Sequence, residues 1–211
     1  MTNEQSINRK IQIKNVASEL FLALGFDATS MDRIAKSAEV SKRTPYIYFA
    51  SKHDLFSAVI RGYLKELELL LEPLWEQPGK AVDVIKACVS KYADYAIENP
   101  DKFKLIMTFE KRDFYPGRKQ EFLNNEDACQ KINDRLTLNL QMSVERAISL
   151  GELQTNMTAE QYSLLLWSAL SGIISIALER DEILNAVYNW SAQEMVASFV
   201  ENFINNQSKD L

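Results

Sequence analysis

The sequence predicts an all-α protein of about nine helices, and three observations carry that reading. Gly and Pro are scarce, six and five among 211 residues. That is about half the usual share of roughly 12%. It leaves too few turn residues for a sandwich or barrel that turns every 8–12 residues or so. Apolar residues recur at three- and four-residue steps almost throughout, and no segment alternates with period two. Cap and stop residues fall between those runs, as helix ends require.

Taken in order, Ile13, Val16, Ala17, Leu20, Phe21 and Leu24 form one helical stripe. Gly25 follows as a left-handed C-terminal cap. Thr29-Ser30-Met31-Asp32 reads as a capping box, a hydroxyl at N-cap and an acid at N3. It opens a short helix through Ile34, Ala35 and Ala38. Ser41 starts a second short helix, Ser41–Phe49. Ser51-Lys52-His53-Asp54 is another box, and Leu55, Phe56, Val59, Ile60, Tyr63, Leu64, Leu67 and Leu71 carry a long helix to Leu74. Pro73, Pro78 and Gly79 mark a boundary. Helical patterns follow at 79–98 and 101–113, parted by Asn99-Pro100, and Phe114-Tyr115-Pro116-Gly117 reads as a loop. A helix over 120–150 stops at Gly151. Thr158-Ala159-Glu160-Gln161 and Ser191-Ala192-Gln193-Glu194 open helices over 159–181 and 192–205.

Composition narrows the function. An apolar share of 46% with 25% charged residues suits an ordinary soluble globular chain. Two cysteines, Cys88 and Cys129, and one histidine, His53, supply neither a disulfide framework nor a zinc site, and no metal or cofactor is expected. His53 reads as a surface residue and the cysteines as packing residues. Nothing forms a Ser/His/Asp set or a phosphate loop, so no enzyme is expected. The first residues lack a signal-peptide layout. The uncharged segment Tyr162–Leu178 contains four serines and falls short of the roughly 20 apolar residues of a membrane span. No membrane partner is expected, and the compartment expected is a reducing cytoplasm.

A net charge of −5 argues against a nucleic-acid partner when taken whole. Split at Leu55, the argument reverses. Residues 1–55 hold eight Lys/Arg against six Asp/Glu, a net +2, and the remainder carries −7. One end is basic and the body would repel DNA. That end holds a helix, a tight turn and a second short helix, the parts of a helix-turn-helix over residues 30–49, whose second helix can present side chains in the major groove. Lys42, Arg43 and Thr44 stand at its start, where helix N–H groups also favour phosphate. Lys52, a cation at a helix start, opposes the dipole. A DNA phosphate there would remove the fault.

From Asn15 to Ala58 the chain resembles the N-terminal domain of TetR-type (tetracycline-repressor-like) transcriptional regulators. The pieces that match are Val16-Ala17-Ser18-Glu19-Leu20-Phe21, Gly25-Phe26-Asp27-Ala28-Thr29-Ser30, Ile34-Ala35, Ala38-Glu39-Val40-Ser41-Lys42, Tyr46-Ile47-Tyr48-Phe49 and Ser51-Lys52-His53-Asp54-Leu55-Phe56. The resemblance implies a DNA-binding domain over 7–67 and a helical ligand-binding and dimerisation domain over 68–211. It implies DNA contacts from Ser30, Met31, Ser41, Lys42, Arg43, Thr44, Tyr46, Tyr48 and Lys52. Two residues depart from the family pattern. Glu39 replaces the usual turn glycine, so a non-glycine is expected at positive φ. Pro45 replaces leucine and is expected to remove one early helical hydrogen bond.

The same resemblance implies a homodimer that binds operator DNA and, as a repressor, releases it when a small effector enters a pocket among the middle helices. Tyr92, Phe103, Met107 and Trp167 are the pocket candidates, and an apolar or aromatic effector suits them. Helix 159–181 is apolar almost all round and must be covered on every side. Leu165, Ser168, Gly172 and Ser175 there, with Val196, Phe199 and Val200 on the last helix, are the expected dimer interface. The competing reading is a helical ligand-binding or scaffold protein that no longer binds DNA, motivated by Glu39 and the acidic balance.

Overall fold

The computed structural model describes residues 3–113 and 125–205. Among them are ten α-helices and no strand: α1 (Asn3–Ala28), α2 (Met31–Ser37), α3 (Thr44–Tyr48), α4 (Lys52–Trp75), α5 (Ala81–Glu98), α6 (Pro100–Asp113), α7 (Asn125–Ser149), α8 (Ala159–Glu179), α9 (Asp181–Tyr188) and α10 (Ala192–Asn205). The all-α class stands, with one helix more than expected. The addition is α9. It buries only Leu184, and Arg180 both ends α8 and starts α9 without a side-chain cap. Without a side-chain cap, 182–191 fall between the two expected helices, although Ile183, Leu184, Val187 and Tyr188 recur at helical spacing. The expected loop Phe114–Gly117 and the stretch 120–124 lie outside the described residues.

The start signals differ in how they are used. Thr158 and Gln161 close a full capping box, each side chain serving the other's backbone N–H. Ser191 and Glu194 do the same. At α4 the Asp54 N–H donates to Ser51 Oγ at 3.0 Å, but the Asp54 carboxylate reaches past Ser51 to the N–H of Ala50. The first expected box does not form. Ser30, not Thr29, is the N-cap of α2 and accepts from the Arg33 N–H at 3.2 Å. Thr29 is taken by the end of α1. The helix bends at Gly25 (φ 78°, ψ 170°), and the buried Thr29 hydroxyl donates to the freed Gly25 carbonyl at 2.8 Å.

The chain divides into two compact units. The first comprises Met1–Lys65 and Asp101–Ile132, and the second Glu66–Pro100 and Asn133–Leu211. The first unit is built on phenylalanines. Phe21 of α1 meets Phe56 of α4 edge-on at 5.1 Å, Phe26 lies 4.7 Å from Phe56, and Phe109 of α6 lies 6.2 Å from Phe56. Such pairs add about 0.5–1.5 kcal/mol beyond their buried area. His53 belongs to this cluster, between Phe26 and Phe109, rather than to the surface. The cluster therefore joins α6 to α1 and α4. Ser18 and Tyr63 share a 2.6 Å hydroxyl hydrogen bond between α1 and α4, and the buried Cys129 thiol donates to the Ser57 carbonyl.

In the second unit α10 packs on α5 and α8, and α5 on α8. Val196 and Val200 of α10, at 3% and 7% exposure, face this core. They were expected between two copies of the chain, but they are consumed within one. Glu152, just past α7, accepts from the Val82 N–H at 3.1 Å and so caps α5 from 70 residues away. Arg135 donates to Glu68 at 2.6 Å, and Tyr95 to Glu66 at 3.3 Å. Burial pushes the Cys88 thiol up to about 12. A thiol so raised carries almost no thiolate, which agrees with a packing role.

Candidate nucleic-acid interface

The geometry of the helix-turn-helix begins at the end of α2. Ala38 is the C-cap, and Glu39 adopts φ 52°. The Glu39 N–H donates to the Lys36 carbonyl at 3.1 Å, and the Val40 N–H to the Ala35 carbonyl at 3.0 Å. These two bonds form a Schellman motif, which wants glycine at the left-handed position. Gly151 holds the same place after α7, at φ 71°. Glu39 performs it with a β-carbon, at a cost of about 1 kcal/mol or more. Across the turn, Gln12 of α1 donates to the Ala38 carbonyl at 3.1 Å and fixes its position.

The recognition helix is shorter than expected. It runs Thr44–Tyr48, with Arg43 as N-cap and Ser41–Arg43 outside it. Pro45 is therefore in the first turn, where its missing N–H has no intrahelical partner to lose. The expected loss of a hydrogen bond does not occur. The Ser41 and Thr44 hydroxyls share a 2.8 Å hydrogen bond that ties the lead-in to the helix. Pro45 and Phe49, one turn apart, are buried and anchor α3, with the Lys10 ammonium 5.4 Å from the Phe49 ring centre.

The predicted contact residues separate into three groups. Ser30, Ser41, Lys42, Arg43 and Tyr46 are exposed, and Thr44 and Tyr48 are half-buried. Lys42 pairs with Asp32 at 2.6 Å, and this carboxylate raises its pKa first through the hydrogen bond and then through charge. Both side chains are largely exposed, so the pair contributes little to stability. Arg43 forms no side-chain hydrogen bond or ion pair among the described residues. Met31 is 5% exposed and belongs to the core. Its side chain faces inward because position N1 of α2 packs under the helix, so it does not join the exposed set. Lys52 is turned back on α1: its ammonium donates to the Phe26 carbonyl at 2.8 Å and lies 4.2 Å from the Phe26 ring centre. The Phe26 carbonyl, which also accepts from the Thr29 N–H, offsets the place of this cation at a helix start.

The pocket candidates divide between the units. Phe103 and Met107 stand one turn apart on α6 in the first unit, Phe103 buried and Met107 half-buried. Tyr92 of α5 and Trp167 of α8 are half-buried in the second. On α8, Leu165, Ser168 and Gly172 are exposed and Ser175 half-buried, while Phe199 of α10 is half-buried against Phe203. Ile47, at 74% exposure, is a residue of α3 that the motif alone did not mark. Its signal was the spacing from Pro45, which places it across the helix.

This arrangement is that of a helical protein with an N-terminal helix-turn-helix domain. Residues 13–59 match the family of bacterial regulatory proteins, tetR family. Over 63 residues the chain is 41% identical to the uncharacterized HTH-type transcriptional regulator YhgD of Bacillus subtilis, covering 30% of this chain and 33% of that one. Over 121 residues it is 30% identical to the HTH-type transcriptional regulator TcmR of Streptomyces glaucescens, covering 55% and 53%. The fold is similar to that of the transcriptional regulator FadR from Bacillus subtilis, solved in complex with stearoyl-CoA. That likeness has a TM-score of 0.70 at 16% identity, over 92% of this chain and 97% of that one. The matches to YhgD and TcmR span about a third and about half of those proteins. The N-terminal domain thus matches the model of the tetR family, and the fold of the chain as a whole is similar to that of the solved FadR.

Proposed function

We propose that the chain is a DNA-binding transcriptional regulator, a cytoplasmic homodimer that represses by holding operator DNA and releases it when a small effector binds. The observation that carries DNA binding is the set of side chains around α3. Tyr46 faces solvent from α3, and Ser41, Lys42 and Arg43 face it from the segment that leads into α3, which is anchored by buried Pro45 and Phe49. Bases are read by such preorganised side chains, and phosphates by the cations beside them. Ser30, Thr44 and Tyr48 complete the proposed contacts. The DNA-binding domain of this reading is 7–67 and the regulatory domain 68–211.

Reading two half-sites about 34–36 Å apart requires a dimer. The exposed α8 face of Leu165, Ser168 and Gly172 supports one, because small residues one turn apart admit a partner helix closely. For release, α6 is the element of interest. Phe103 and Met107 precede Phe109 on it, and Phe109 packs on Phe56 and His53 of α4. An effector that displaces α6 therefore moves the helix that follows the recognition helix. An apolar or aromatic effector suits these side chains, and the acyl-CoA bound by FadR is an example from a protein of similar fold.

A gel-shift series with the chain's own upstream DNA tests the reading. Specific binding is expected, weakened by Arg43→Ala and Lys42→Ala. No binding to any fragment at low salt would favour the helical scaffold instead, a reading supported by exposed Glu39 and by the carboxylate on Lys42.

A further inference from the structure

We infer that Ile47 is a base-reading residue that recognises the C5-methyl group of a thymine in the major groove. The inference rests on the DNA-binding reading and sharpens it.

A lone exposed isoleucine on a protein surface is ordinary and needs no account. The placement of Ile47 is not ordinary. At 74% exposure it is the most exposed of the large apolar side chains described. It stands on a helix of only five residues, Thr44–Tyr48. A helix turns about 100° per residue, which puts Ile47 roughly 200° from Pro45. Pro45 and Phe49 are the buried pair, so Ile47 points directly away from the core. Packing therefore gives no reason for an apolar residue there, and solvation gives a reason against one.

The neighbours of Ile47 supply the missing partner. Arg43 is four residues earlier, on the same face and free of ion pairs among the described residues. Tyr46 is adjacent and 54% exposed. An arginine suits the O6 and N7 acceptors of guanine, and among the four bases only thymine offers a methyl group in the major groove. A cation at the N-cap of a short helix, with aromatic and aliphatic groups on the helix itself, fits a base-pair edge better than it fits water or a protein core. Isoleucine is branched at Cβ and stiff at χ1, so little freedom is lost when its methyl groups meet the thymine methyl.

The test uses the full chain and a duplex that the native protein selects from a random-sequence DNA pool. Each thymine in the footprint is replaced in turn by deoxyuridine, which removes only the methyl group. For the native protein, one replacement in each half-site is expected to lower affinity about fourfold, the effect of one buried methyl group. Ile47→Ala should still bind the duplex and lose that discrimination, while Ile47→Val should keep most of it. Ile47 is exposed, so unchanged circular dichroism and melting are expected for both variants. Equal affinity of the native protein for every substituted duplex overturns the inference, as does unchanged discrimination in Ile47→Ala. If the native protein selects no DNA at low salt, the DNA-binding reading fails and this inference fails with it.

Discussion

The ring of Phe109 on α6 lies 6.2 Å from the ring of Phe56 on α4, tilted by 55°. Phe56 is fully buried and Phe109 is 4% exposed. Phe56 also meets Phe21 and Phe26 of α1. A shift of α6 therefore cannot be absorbed by solvent. It must be passed to α4 or opposed by the cluster. Phe109→Leu should lower stability by about 1–2 kcal/mol, less than the 3–5 kcal/mol or so of a full truncation. A thermal melt checks the stability change. In gel shifts the same variant should keep DNA affinity but respond less to effector, and an unchanged response would separate Phe109 from the release mechanism.

Glu39 offers a stabilising change. Its φ of 52° is the conformation a glycine adopts without strain. Glu39→Gly should raise stability by about 0.5–1 kcal/mol, with a melting temperature higher by about 1–4 °C. Glu39→Ala keeps the β-carbon in the same place and should gain nothing. If Ala and Gly behave alike, the side chain rather than the backbone sets the effect. Removal of the acid should also tighten DNA binding at low salt in both variants.

Arg43 and Lys52 are both cations near α3, and of the two the Lys52 side chain is engaged within the fold. Arg43→Ala should weaken DNA binding and leave the melting temperature nearly unchanged, because its side chain holds nothing in the fold. Lys52→Met should lower stability by about 1 kcal/mol, the usual worth of one hydrogen bond, since the Phe26 carbonyl keeps only the N–H of Thr29. Measured together, melting curves and the salt slope of DNA binding distinguish the two roles.

Leu165→Glu tests the exposed face of α8. The residue is 41% exposed within one chain, so the variant should fold. Sedimentation is expected to show a monomer where the native chain gives a dimer. Val196→Asp is the contrast. At 3% exposure it places a charge in the core of the second unit and should unfold the chain, not dissociate it. A dimer that survives Leu165→Glu would move the interface elsewhere.

Much of the fold is legible in the chain because helices announce their ends. Thr158 with Gln161 and Ser191 with Glu194 act as their spacing predicts. Gly25 and Glu39 hold positive φ where the motif needs it. What the sequence hides is long-range. No local rule says that Lys52 will find the Phe26 carbonyl 26 residues earlier, or that Glu152 will cap α5. His53 reads as a surface residue because it lies next to a helix start, but the rings of Phe26 and of Phe109 from α6 stand against it and leave it half-buried. The same limit applies to the contact residues. A motif names Met31, but only packing tells that its side chain faces the core.

Glu110 follows Phe109 on α6, and its Oε2 is buried with no hydrogen-bond partner among the described residues. Burial pushes its carboxyl up from 4.5 to about 7. The folded chain thus binds a proton that the unfolded chain has released between those two values. Stability should therefore fall as pH rises through that window. The contribution of the neutral carboxyl is complete below the unfolded value and lost above the folded one. At 1.36 kcal/mol or so per unit, the whole effect is on the order of 3 kcal/mol. Urea unfolding at intervals from pH 5 to 8 or thereabouts measures it. Glu110→Gln keeps the shape without the titration, so its midpoint should change less over the same range. Parallel profiles for the native chain and the Gln variant would show that Glu110 ionises freely in the folded protein.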